Sequence, residues 1–194
     1  MSEESVLAFH KLVASMRTLE KEFWAHRDKG VLKKSIELEK RVDDTIMKAD
    51  GNDVPQNENG NFFLLVAELR ATTRQYFSEK KKTPPDKVLV ASLYKTIKEK
   101  ESKVDKQLIR FRDEQIKRQG YLIEYHVMER PYKGTAHSVY HSMDEQLANI
   151  ELNDYLSHAE HGTMYFTCKK YLSPDGKPLP QEQLDKIINN NLNS

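Results

Sequence analysis

The chain has 194 residues and a mass of 22.7 kDa, with 31% charged residues, 38% hydrophobic residues and a mean hydropathy of −0.77. Lys and Arg number 31 against 30 Asp and Glu, so no large field of one sign arises by default. The longest apolar run, Phe62 to Ala67, is too short to span a bilayer, and Glu3, Glu4, Lys11 and Arg17 interrupt any apolar leader. A cytoplasmic protein without a membrane partner is therefore expected. Its single cysteine, Cys168, excludes an internal disulfide and a thiol-only zinc site.

Internal repetition dominates the first half. Leu12-Val13-Ala14-Ser15-Met16-Arg17 aligns with Leu65-Val66-Ala67-Glu68-Leu69-Arg70 at a constant offset, and the match extends to Phe23-Trp24 against Tyr76-Phe77. It resumes at Glu39-Lys40-Arg41-Val42-Asp43 against Glu101-Ser102-Lys103-Val104-Asp105, where the larger offset gives the second copy a longer connection. Pro84-Pro85-Asp86 lies in that connection, where proline ends one helix and aspartate can cap the next.

In chain order, Val6, Phe9, Leu12, Val13, Met16, Leu19 and Phe23 recur at three and four residues and predict a helix with one apolar stripe. Leu32, Ile36, Val42 and Ile46 predict its partner. A polar link at 49–59 follows; its Asp50, Asp53 and Glu58 do not match the ligand spacing of a calcium loop. Phe62, Leu65, Val66, Leu69 and Tyr76 predict a third helix. Val90, Leu93, Ile97, Val104, Leu108 and Phe111 predict a fourth that extends toward Gly120, about 45–50 Å long at roughly 1.5 Å per residue. Its overhang beyond shorter neighbours points to a homo-oligomer or a helical arm. Residues 1–119 are expected to be a duplicated helical-hairpin bundle with units 3–48 and 60–119.

The pattern of Val66-Ala67-Glu68-Leu69-Arg70, Tyr76-Phe77 and a later Glu101-Ser102-Lys103-Val104-Asp105 resembles short uncharacterised helical-hairpin proteins of phages and mobile elements. The resemblance covers Ser5–Ile46 and Phe62–Leu108. It implies a helical hairpin and a phage setting, and carries no activity with it.

After Gly120 the composition changes. Residues 120–194 hold 6 Lys and Arg against 10 Asp and Glu, and five of the seven histidines fall between His126 and His161. Tyr121, Ile123, Tyr125 and Val127 alternate with Leu122, Glu124, His126 and Met128, which predicts a strand. Ala136, Val139, Tyr140, Met143, Leu147 and Ile150 follow helical spacing, with Thr135 or Ser142 as the cap. Met164–Leu172 predicts a second strand ended by the turn Ser173-Pro174-Asp175-Gly176, and Gln181–Asn190 a last short helix. The expected fold class is mainly α: two duplicated hairpins in a bundle, followed by a small α+β C-terminal region at 120–194.

Three sets of residues could carry chemistry. On a helix starting near Thr135, His137, His141 and Glu145 would stack one turn apart opposite the apolar stripe, with His158 and His161 approaching from its end. That set suits zinc or another divalent metal, although the H-E-x-x-H pattern is absent. Arg17 and Arg70, at equivalent places in the repeat, could serve with Lys80, Lys81 and Lys82 as anion or phosphate contacts. They could equally be boundary arginines paired with nearby acids. Glu124 and His126 lie two apart on one strand and could form an acid/base pair. Cys168, inside an apolar stretch, reads as a buried or half-buried thiol rather than a nucleophile.

No G-x-S-x-G, P-loop or G-x-G-x-x-G pattern occurs. Basic residues from Lys80 to Arg118 are interspersed with Glu99, Glu101, Asp105, Asp113 and Glu114, the mixture of a salt-bridged helix surface. The expected function is a non-enzymatic binding or adaptor protein without a cofactor, an accessory or inhibitory factor acting through protein contacts. Tyr121, Tyr125, Tyr132 and Tyr140 are its candidate contact residues. The alternatives are a metal-dependent hydrolase or nuclease built on the histidines, and a nucleic-acid or nucleotide binder built on the basic second hairpin.

Overall fold

In a computed structural model that describes residues 3–49 and 56–193, the first helix, α1 (Glu3–His26), ends at Arg27, which takes a left-handed backbone with φ of 57°. Asp28 then caps α2 (Lys29–Lys48), its carboxylate accepting from the amides of Gly30 at 2.6 Å and Val31 at 3.0 Å. Two residues thus reverse the chain. The second hairpin uses the same chemistry over a longer turn. Asn57 caps α3 (Glu58–Lys80), and Asp86 caps α4 (Lys87–Arg118) by accepting from Val88 and Leu89, each at 3.0 Å. The 32 residues of α4 span about 48 Å at 1.5 Å each. Asp50 and Asp53 of the link lie outside the described residues.

Residues 1–110 form one compact unit and 111–194 another. The first is the duplicated bundle that the repeat predicts. Phe9, Val13 and Met16 of α1 share its core with Val42 of α2, Phe62, Val66 and Leu69 of α3, and Val104 of α4. These are matching positions: Phe9 with Phe62, Val13 with Val66, Met16 with Leu69 and Val42 with Val104. At the join of the two copies His10 stacks on Phe62 with ring centroids 4.1 Å apart, and Phe9 lies 4.9 Å from Phe63.

The second unit begins in the last turns of α4. Gly120, at φ of 85°, ends that helix, its amide bonding to the Lys117 carbonyl at 2.9 Å. A three-stranded antiparallel sheet follows, made of β1 (Leu122–Arg130), β2 (His137–Ser142) and β3 (Met164–Leu172), with β1 in the centre. Between β2 and β3 lies α5 (Glu145–Ser157), and α6 (Gln181–Asn193) closes the chain. Ile123, Tyr125 and Ala148 make the core of this unit, with Tyr140 and Tyr171 against it.

One predicted element is corrected here. Residues 137–142 are a strand, and the helix starts only at Glu145, so His137, His141 and Glu145 do not stack on one helix face. Pairing with β1 gives this segment its backbone hydrogen bonds, and Val139 and Tyr140 suit a strand. Asp144 supplies the cap, accepting from Gln146 at 2.7 Å and Leu147 at 3.4 Å. Met143, Leu147 and Ile150 of the supposed stripe are exposed, whereas Ala148 is buried. Among the described residues, no helix is long and apolar enough to cross a membrane.

Candidate functional site

Arg17 and Arg70 occupy matching places in α1 and α3, and both are buried. Each finds an aspartate and a glutamate in the other copy of the repeat. Arg17 donates to both oxygens of Asp105 at 3.0 and 3.2 Å and reaches Glu101 at 3.1 Å. Arg70 donates to both oxygens of Asp43 at 2.9 and 3.0 Å and to Glu39 at 2.9 Å. The exchange extends to a second cation on each aspartate: Lys21 at 2.9 Å on Asp105, and its counterpart Arg74 at 2.9 Å on Asp43. Glu20 adds a further bond to Arg17, where the second copy has Thr73.

Electrostatics follow from this geometry. Burial alone would discharge the guanidinium of Arg17, but the hydrogen bond to Asp105 and the charges of Glu20 and Glu101 outweigh it and hold the proton more firmly. Burial likewise disfavours ionised Asp43 and Asp105, yet their arginine partners win, and both carboxyls titrate below the ordinary range. Glu20 goes the other way, raised by burial against the pull of Arg17. The planar fork of each arginine is thus occupied by carboxylate, the geometry that bidentate guanidinium pairing favours.

Two grooves lie along these networks. One, of about 510 Å³, is lined by Arg17, Glu20, Lys21, Trp24, Glu101 and Asp105 among others. The second, of about 430 Å³, is lined by Arg70, Thr73, Arg74, Phe77, Glu39 and Lys81 among others. Matching positions of the repeat line both: Arg17 and Arg70, Glu20 and Thr73, Lys21 and Arg74, Trp24 and Phe77, and Glu101 and Glu39. Trp24 and Phe77 are the aromatic members, 59% and 51% exposed. A cation covers the neighbouring ring in each copy: Arg27 lies 5.7 Å from the Phe23 centroid and 4.1 Å from that of Trp24, and Lys80 lies 5.5 Å from that of Tyr76. The three consecutive lysines therefore separate. Lys80 sits over Tyr76, Lys81 lines the second groove, and Lys82 pairs with Glu79 at 2.5 Å.

The remaining predicted residues lie in the second unit. Tyr125 is buried in the core, Tyr140 packs against it, Tyr121 is half-buried and Tyr132 is exposed. Asp113 organises the surroundings of Tyr125. It accepts from Lys169 at 2.7 Å and from the Tyr171 hydroxyl at 3.0 Å, and Lys169 stands 5.2 Å from the Tyr125 ring centroid. Burial pushes the Tyr125 phenol up to about 12, reinforced by Glu145 and Asp113. Burial also pushes Tyr171 up to about 12, with Arg112 opposing and Asp113 assisting.

The histidines of the predicted metal set disperse. His137 is an exposed member of β2, and Glu145 turns to Lys169 at 3.5 Å. His158 ends α5 with its Nδ1 at 3.0 Å from the Asp154 carbonyl, and His161 is exposed in the turn beyond. Among the described residues, no group of three or more His, Cys, Asp or Glu side chains is placed to hold a metal ion.

His141 instead joins the pair that the strand alternation of β1 brings out. Nε2 of buried His126 lies 2.7 Å from one oxygen of Glu124, and Nδ1 of His141 lies 3.1 Å from the other. The second ring nitrogen of His126 is 2.8 Å from Oγ of Ser138. Sequence reading singles out Glu124 and His126 but misses Ser138, because the segment carrying it reads as a helix. Compared with known proteins, the chain matches no family model, no curated protein and no solved structure.

Proposed function

We propose that this chain is a binding protein that acts through protein contacts, with the helical unit as its contact element. One observation carries the reading: the repeat places Trp24 and Phe77 at matching positions beside two matching grooves, each half-exposed despite its size. Large aromatic residues beside arginine are the side chains that dominate interface energies. The arginine forks are already engaged by carboxylates, which favours apolar and aromatic contact over capture of free phosphate. The resemblance to phage and mobile-element hairpin proteins implies a setting and no activity, and an accessory or inhibitory role is the form such protein contact would take in that setting.

The partner that the chain itself supplies is a second copy. A molecule with two like aromatic edges presents to its copy the same surface twice, so one contact type can be used from either side. Sedimentation velocity over a wide concentration range tests this. Wild-type protein is expected to self-associate, and Trp24→Ala/Phe77→Ala to sediment as a monomer with an unchanged circular dichroism spectrum. Identical sedimentation of the two proteins would contradict the reading.

A further inference from the structure

The register of β2 against β1 contains one irregularity. Val127 stands opposite Tyr140 and Met128 opposite Ser138, so Val139 is an extra residue without a partner on β1. A bulge of this kind reverses the side-chain phase of the strand beyond it and re-aims a residue. In an unbroken ladder Val139 would stand opposite Met128. The bulge puts Ser138 there instead, on the face that holds Glu124 and His126, and a hydroxyl replaces an isopropyl group beside the imidazole.

The result is a directed hydrogen-bond chain. Glu124 is held from two sides, by Nδ1 of His141 at 3.1 Å and by Nε2 of His126 at 2.7 Å. A carboxylate only accepts, so neutral His126 carries its proton on Nε2 and presents the lone pair of Nδ1 to Ser138, 2.8 Å away. The Ser138 hydroxyl also has the Tyr140 carbonyl at 3.2 Å, but the shorter contact and the tautomer set by Glu124 direct its hydrogen to His126. The imidazole is buried while Ser138 is exposed, an arrangement that shields the base and opens the nucleophile to solvent. Nucleophile, base and a third group orienting the base are the recurring elements of an activated serine.

We infer that Ser138 is a nucleophile activated by His126, with Glu124 as the positioning residue, and that it accepts acyl groups from small esters. In the forward step Ser138 Oγ bonds to the carbonyl carbon, its proton passes to Nδ1 of His126, and that proton then leaves with the departing alcohol. Water attacks the acyl-serine in the second step and gives its proton to His126, which returns it to Ser138 as the acid departs. Glu124 stabilises the imidazolium in both steps and stays ionised. β2 is an edge strand, and the outward amides of an edge strand are the backbone donors available to the developing oxyanion.

A fluorophosphonate tests the first half of this chemistry. Its phosphorus bonds to Ser138 Oγ, fluoride leaves, and the serine proton passes through His126 to solvent. The chain supplies its own control: Ser157 Oγ also touches a histidine, Nδ1 of His158 at 2.9 Å, but that contact is exposed and shares its nitrogen with the Asp154 carbonyl. Peptide mapping of the intact protein is expected to show the phosphonyl adduct on Ser138 in at least tenfold excess over Ser157, and none in Ser138→Ala. His126→Gln is expected to slow labelling by about a hundredfold.

Glu124→Gln keeps an acceptor for Nε2 but removes the charge, so the pH profile of labelling is expected to move to lower pH. The groups facing His126 in that profile are Glu124, His141 and Ser138, with Cys168 opposite it and Lys170 opposite Glu124 on β3. Equal labelling of Ser138 and Ser157, no adduct on Ser138, or a rate unchanged in His126→Gln would each overturn the inference.

Discussion

Arg17 and Asp105 lie 88 residues apart in the chain and meet through two hydrogen bonds of 3.0 and 3.2 Å. Asp43 is the acid of Arg17's own repeat copy, yet Asp43 is held by Arg70, the arginine of the other copy. Each hairpin thus completes the ion pair of its neighbour. The same exchange places the two grooves, because Glu101 and Asp105 come to the side of Arg17, and Glu39 to the side of Arg70.

The exchange is measurable as coupling. A double-mutant cycle on Arg17→Ala and Asp105→Ala is expected to give an interaction energy of about 2 kcal/mol from urea unfolding. A cycle on Arg17→Ala and Asp43→Ala should give less than about 0.5 kcal/mol, since the two side chains share no bond. Arg17→Lys is expected to recover little, because an ammonium cannot reproduce the fork. Coupling within each repeat copy in place of coupling between copies would contradict the cross-paired arrangement.

His10 gives the helical unit a pH response near neutrality. Burial lowers its pKa below 6.5, with the Val6 carbonyl at 3.0 Å working in the opposite direction. The unfolded chain therefore takes up this proton more readily, so stability falls as pH drops below about 6.5 toward the folded value. The matching position in the second copy is Phe63, which suggests His10→Phe as the probe. Unfolding midpoints at pH 8 and pH 5 should differ less in His10→Phe than in the wild type. An equal loss in both proteins would remove His10 as the cause.

Tyr125 and Tyr171 are expected to ionise late, at about pH 12. Both phenols are raised in the folded state, so the stability they contribute is complete below pH 10 and is lost as pH rises through the folded values. Ultraviolet titration of the wild type, Tyr125→Phe and Tyr171→Phe checks this. Each variant should lose part of the late absorbance change, and Asp113→Asn should shift what remains to lower pH. A late phase unaffected by these substitutions would place it on other tyrosines.

The helical unit was legible because its information is local and written twice. Stripe spacing, the cap Asp86, and the matched Arg and Glu-x-x-x-Asp positions all lie within short windows. What the repeat could not show is which arginine meets which acid, since that depends on how α1 approaches α4 and α3 approaches α2. Ile36 shows a smaller failure of the same kind. It fits the stripe of α2 but is exposed, and the buried neighbour is Ser35.

The second unit was less legible because its decisive pairing is non-local. Ala136 to Ile150 carries helical spacing by residue type, but β1 captures its first part as a strand and Asp144 restarts the chain as a helix. Strand alternation singles out Glu124 and His126. A bulge at Val139 leaves no such pattern, so the approach of Ser138 and His141 to them emerges only with the register.

Trp24 is the chain's one tryptophan, so its emission reports directly on the surface to which protein contact is assigned. Its spectrum, recorded across protein concentration for the wild type and Phe77→Ala, shows whether a second copy covers that surface. Red emission in dilute solution is expected, with a reversible blue shift as concentration rises and about a tenfold higher midpoint in Phe77→Ala. Emission that stays red at every concentration, with the variant indistinguishable from the wild type, would contradict self-association through that surface.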